Sequence, residues 1–225
     1  MKFENKELIL FDFDGTLIDS VPDLVSAINE MQTALRREHF EEDVVRSWVG
    51  NGAQTLVKRA LSGSVNIDES IDTAFFEKAL EIFLRAYKEH ACVKTRTYPN
   101  VHTTLQKLKE RGYKMAIVTN KPHTFVAPIL KGLELEEYFS LYLGGDSLEK
   151  KKPHPEPLLH ICRKLGVDVL NAVMVGDSKN DILAANAANM QSIAVSYGYN
   201  YGEDISLHHP SIVVDDFADI LKSLT

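Results

Sequence analysis

The first patterned stretch of the chain is an unbroken apolar run, Leu8 to Phe11, that leads into Asp12, Phe13, Asp14 and Gly15. A short run that is apolar at every position and closed by a turn signal predicts a strand buried on both faces. The period then changes. Leu24, Ile28, Met31 and Leu35 recur at helical spacing, with Asp19 or Ser20 as the N-cap and Pro22 in the first turn. Charged residues from Arg36 to Asp43 end that helix, and Val44, Val45 and Trp48 predict a short second one. Gly50-Asn51-Gly52 is a break, after which Leu56, Val57, Ala60 and Leu61 share one face of a third helix. Beyond a polar loop from Ser62 to Asp68, Ile71, Phe75, Leu80, Phe83 and Tyr87 mark a longer helix to about His90. Nothing between residues 18 and 90 alternates with the period of a strand.

From Tyr98 the pattern becomes mixed. Helices are predicted over Val101 to Arg111, Phe125 to Leu133, Leu158 to Leu165, Asp181 to Ala188 and Phe217 to Leu224. Between them lie strands at Met115 to Val118, Leu141 to Leu143, Ala172 to Val175, Ser192 to Ser196 and Ile212 to Val214. Strands that alternate with helices predict an α/β fold with a parallel sheet and right-handed crossovers. The all-helical stretch interrupts that alternation after the first strand. The expected organisation is therefore an α/β catalytic core of residues 1–17 and 96–225 with an inserted helical cap, residues 18–95. The chain would cross between them near residues 17 to 20 and 91 to 97, two candidate hinges.

Composition narrows the function classes. The chain has 225 residues and a formal net charge of -7, which argues against a general nucleic-acid or membrane-surface binder. It leaves room for an anionic substrate, because a local metal ion and lysines outweigh a diffuse negative field. The N-terminal residues Met1 to Glu7 hold no long apolar stretch, so neither a secretory signal nor a membrane span is expected. Cys92 and Cys162 match no metal or redox spacing and read as reduced thiols, which suits a cytoplasmic location.

Three predicted strand ends carry polar residues. Asp12 and Asp14 follow the first, Thr119 and Asn120 the second, and Asp177, with Asp181 one helical turn on, the fourth. A basic run, Lys150-Lys151-Lys152, precedes the helix that leads into the fourth strand. Taken singly, an Asp-Gly is a turn, Thr-Asn a helix cap, and a lysine run a solvated face. Together they place a nucleophile, hard oxygen ligands, a hydroxyl donor and a cation at one edge of one sheet, where open α/β sheets bind ligands. Phosphoryl transfer needs that set.

The segments Asp12-Phe13-Asp14-Gly15-Thr16, Thr119-Asn120, Lys152-Pro153 and Gly176-Asp177-Ser178-Lys179-Asn180-Asp181 resemble, in order, the four motifs of the haloacid dehalogenase superfamily of phosphohydrolases. The resemblance implies a Rossmann-like core, a helical cap and Mg2+ dependence. It implies Asp12 as nucleophile and Asp14 as general acid and base, with Mg2+ held by Asp12, Asp14 through its main chain, and Asp177. Asp181 would support the metal site, and Thr119, Asn120 and Lys152 would bind the phosphate of a small phosphate ester. Finer features, Val49 to Ala53, Thr119 to Pro122 and Tyr197-Gly198-Tyr199, resemble the bacterial phosphoglycolate phosphatases of that superfamily and imply 2-phosphoglycolate as substrate. Arg59, in helical phase with Gly52 and Thr55, is expected to meet the substrate carboxylate, and His154 to help position Lys152. Three alternatives stay open at this point: a phosphosugar mutase of the same superfamily, a phosphatase for another small phosphate ester, and a non-enzymatic phospho-acceptor module of the receiver type. Asn100 and Asn189 stand where such phosphatases often have Gly, so a positive φ is expected at both. Oligomeric state is not legible from these residues.

Overall fold

The computed structural model describes residues 2–224. The apolar run forms β1, Leu8–Phe11, and the chain then makes a two-residue strand, β2, Ile18–Asp19. Four helices follow: α1 Val21–Ala34, α2 Glu42–Arg46, α3 Ala53–Ser62 and α4 Thr73–His90. A second two-residue strand, β3, Arg96–Thr97, closes that stretch by pairing antiparallel with β2. The remaining chain alternates: α5 Val101–Glu110, β4 Lys114–Val118, α6 Val126–Gly132, β5 Leu141–Leu143, α7 Glu156–Leu165 and β6 Ala172–Gly176. It ends with α8 Lys179–Ala187, β7 Gln191–Val195, β8 Ile212–Val214 and α9 Ile220–Ser223.

The main sheet has six strands in the order β5-β4-β1-β6-β7-β8, all parallel. β1 sits near its centre, paired with β4 and β6 so that Phe11 lies level with both Ile117 and Val175. Strand alternation sends Ile9 and Phe11 into one core and Leu8 and Leu10 into the other, across the sheet. Met115 and Ile117 divide from Ala116 and Val118 in the same way. This double burial is why β1 reads as apolar at every position.

The larger core runs on without a break from the sheet into the helical insert, through Val21, Leu24, Phe83 and Tyr87. Several boundaries differ from the sequence reading. α8 begins two residues early, because Ser178 caps it and Asp181 reaches back to Ser178 in a capping box. The C-terminal helix shortens to α9 behind a tight 3-10 turn, Phe217–Asp219, capped by Asp216. Asn100 and Asn189 do have positive φ, 65° and 53°. Among the described residues no helix is long and apolar enough to cross a membrane.

Candidate active site

β4, β1 and β6 are neighbours and parallel, so their C-terminal ends deliver Thr119, Asp12 and Asp177 to one edge of the sheet. Asp12 continues the strand, its amide donating to the Val175 carbonyl at 2.9 Å. Its Oδ1 accepts from the Phe13 amide at 2.6 Å and meets the Lys152 ammonium at 3.0 Å, while Oδ2 takes no hydrogen bond among the described residues. The turn at Gly15 (φ 88°) lets Thr16 fold back onto Asp177. A side chain at Gly15 would stand 2.2 Å from Asp177 Oδ2, so only glycine fits. Asp177 accepts from the Thr16 hydroxyl at 2.6 Å and from the Tyr199 amide at 2.7 Å. Asp181 uses both carboxylate oxygens, one on Lys152 at 2.6 Å and one on the amide and hydroxyl of Ser178 at 3.0 and 2.8 Å.

Three buried carboxylates, Asp12, Asp177 and Asp181, place an oxygen each within 4.8 Å of one another. One buried cation, Lys152, faces them, held between Asp12 and Asp181. Burial first, and the neighbouring Asp181 charge second, drive Asp12 well above the usual carboxylate range and push Asp177 up to about 7. Burial by itself lowers the Lys152 ammonium, but Asp12 and Asp181 outweigh it and the net shift is upward. The cluster carries more negative charge than its lysine balances, and its donors are hard oxygens. That donor set fits a divalent cation of the Mg2+ or Ca2+ class.

Above this edge lies a cavity of about 490 Å³, the open space at its mouth included. Asp12, Asp14, Thr119 and Asn120 line it from the core, and Gly50, Gly52, Leu56, Phe83 and Tyr87 from the insert. Asn120 links the two parts: its amide nitrogen donates to the carbonyls of Gly50 at 3.1 Å and Lys152 at 3.0 Å. Asn180 also donates to Gly50, and Tyr201 joins Asn180 to Asn51.

The structure thus gathers Asp12, Asp14, Asp177, Asp181, Thr119, Asn120 and Lys152 at one place. Arg59 is not among them. Its guanidinium donates to the carbonyls of Trp48 at 2.6 Å and Val65 at 3.1 Å and lies over the Tyr201 ring, away from the cavity lining. Helical phase had set Arg59 on the face of Gly52, but that face turns its later residues to Trp48 and Tyr201. His154 does not hold Lys152 either; its Nδ1 accepts from the Glu156 amide at the start of α7. A residue not singled out for the site is Lys121, buried on the cavity wall with its ammonium 2.8 Å from Asp14 Oδ1. Its sequence signal was its place directly after the Thr-Asn of a strand end.

A profile described as haloacid dehalogenase-like hydrolase matches residues 9–195. The chain belongs to that family. This hydrolase is 48% identical to a phosphoglycolate phosphatase of Colwellia psychrerythraea, over 100% of the chain and 99% of the relative. It is 44% identical to phosphoglycolate phosphatase 1 of Pseudomonas aeruginosa, over 95% of the chain and 78% of the relative. A crystal structure from Haemophilus somnus, described as a predicted phosphoglycolate phosphatase, superposes with a TM-score of 0.90 at 40% identity and covers 97% of each chain.

Proposed function

We propose that this hydrolase is a Mg2+-dependent phosphatase that converts 2-phosphoglycolate and water to glycolate and inorganic phosphate. The supporting observation is the convergence of Asp12, Asp14, Asp177 and Lys152 beneath a cavity lined by both the core and the helical insert, in a chain related end to end to phosphoglycolate phosphatases. We read residues 18–95 as the cap that closes over the substrate and excludes water.

The uncommitted Oδ2 of Asp12 attacks phosphorus in line, and the bond from phosphorus to the ester oxygen breaks. Asp14 gives its proton to the departing alkoxide and so releases glycolate. It then takes a proton from a water molecule, whose oxygen attacks the aspartyl-phosphate and frees phosphate and Asp12. Lys152 spends two of its three donors on Asp12 and Asp181 and has one left for a phosphoryl oxygen. The Thr119 hydroxyl and the Asn120 amide take the other oxygens, where transition-state charge spreads. Asp12, Asp177 and the main-chain carbonyl of Asp14 would hold Mg2+, with Asp181 supporting the site; the ion supplies charge neutralisation at phosphorus.

The cavity wall favours this substrate over a phosphosugar. Leu24, Val49, Ala53, Leu56, Phe83 and Phe125 make much of it apolar, which suits a two-carbon leaving group better than a ring of hydroxyls. The test is phosphate release from a panel of small phosphomonoesters with and without Mg2+. Mg2+-dependent release, highest on 2-phosphoglycolate, is expected, and Asp12→Asn should fold yet lose turnover by about 10³-fold or more. Preference for a hexose phosphate or a nucleotide would sink the substrate assignment. Normal turnover by Asp12→Asn would sink the mechanism.

A further inference from the structure

Two polar side chains on the cavity wall, Lys121 and Tyr87, are not among the groups that bind the phosphoryl oxygens, although Lys121 bonds Asp14. Lys121 is 5% exposed, and its ammonium lies 4.8 Å from the centre of the Tyr87 ring. An ammonium carries three donors, and Asp14 takes one of them. Tyr87 comes from α4 in the cap. Its ring is held by stacking on Phe83 at 5.8 Å and by an edge contact with Phe125 at 4.8 Å. Its hydroxyl is buried beside the Lys121 ammonium and donates to no acceptor. Buried polar groups are nearly always paired, so an unused donor on a cavity wall points to a ligand that accepts from it. Burial pushes this hydroxyl up to about 12, which keeps it a neutral donor at physiological pH.

The start of α3 adds further donors. Gly52 is its N-cap and has no side chain to satisfy the first-turn amides, and Gly52 and Ala53 both line the cavity. An ammonium, a hydroxyl with no acceptor and a bare helix start on one wall match a single compact anion.

We propose that Lys121, Tyr87 and the first-turn amides of α3 form the subsite for the carboxylate of the leaving group, an inference that rests on the phosphoglycolate reading of the site. Bond count fixes the placement. Asp14 protonates the ester oxygen, and in 2-phosphoglycolate the carboxylate carbon is two bonds beyond it. The Lys121 ammonium is one hydrogen bond from Asp14. This cation therefore stands beside the leaving group, whereas Lys152 stands beside phosphorus. An ester without a carboxylate leaves the Tyr87 hydroxyl with no acceptor, so the site rejects it.

The test compares wild type, Lys121→Met, Tyr87→Phe and Arg59→Ala on 2-phosphoglycolate and on ethyl phosphate, which keeps the two carbons and lacks the carboxylate. The readout is the ratio of the two kcat/KM values. Lys121→Met should cut this preference by about 10- to 100-fold, chiefly through KM, and Tyr87→Phe by about 3- to 10-fold. Arg59→Ala should leave the ratio unchanged, because its guanidinium is held by Trp48 and Val65. As a readout without catalysis, the inhibition constant of glycolate should rise in Lys121→Met and Tyr87→Phe while that of inorganic phosphate stays put. If Lys121→Met does not fold, judged by its circular-dichroism melt, the Tyr87→Phe ratio and its glycolate inhibition decide. A preference that survives in the folded variants overturns this inference alone. A wild type with no preference for 2-phosphoglycolate overturns the functional reading as well.

Discussion

Asp14 and Asp12 are two residues apart, yet their side chains face different partners. Asp12 meets Lys152 and Asp14 meets Lys121. On the proposed mechanism, this separates a group that bonds to phosphorus from one that handles the leaving group's proton. Asp14→Asn should therefore lose rate in proportion to the need for that proton. The expected loss is about 10²- to 10⁴-fold on 2-phosphoglycolate and much smaller on p-nitrophenyl phosphate, whose leaving group departs unprotonated. Steady-state rates across leaving groups of graded pKa check this, and an equal loss on all of them would remove Asp14 from the role. The positions of the acidic residues were legible in the sequence because several polar strand ends recur in one chain, in the order of a known set of motifs. Lys121 was not, since a lysine after a strand normally reaches water; only the packing of Tyr87 over it shows that this one does not.

At the scale of elements, periodicity carried the reading. Runs apolar at every position became the central strands, and 3.6-residue spacing became the helices. Two-residue strands have no period to read, so the β2–β3 ribbon was invisible in advance, although the crossings themselves were expected there. Helical phase likewise gave Arg59 a face but not what that face packs against. The ribbon is tied by Asp23, a buried carboxylate at the start of α1. It accepts from the amides of Lys94 and Thr95 and from the Thr95 hydroxyl at 2.7 to 3.0 Å. Asp23→Ala would strip those donors of their acceptor. A destabilisation of about 3 kcal/mol is expected, or about 6 to 12 °C in Tm for a chain of this size. Denaturant and thermal melts measure it; a shift within about 1 °C would mean that the crossings are held by other contacts.

At the scale of the whole molecule, the carboxylate cluster makes stability depend on the ion it binds. Three buried carboxylates against one lysine repel one another, and a bound divalent cation removes that repulsion in the folded state only. At an Mg2+ concentration about 100 times its dissociation constant, stability should rise by about 2.7 kcal/mol. That corresponds to about 5 to 11 °C in Tm, and a chelator should reverse it. Asp177→Ala should lose most of this response and raise the Mg2+ needed for half-maximal rate. An unchanged Mg2+ response in the variant would move the ion elsewhere.

The ribbon also has a consequence for the ancestry of the chain. Ile18 pairs with Thr97 and Asp19 with Arg96, so the insert leaves and re-enters through adjacent strands. The stretch between them is a cassette with its two ends already sewn together. None of the six strands of the main sheet lies within it, although Gly50 and Asn51 of that stretch bond to Asn120, Asn180 and Lys151. A change of substrate range by exchange at this seam would therefore also have to keep the insert's bonds to Asn120 and Asn180.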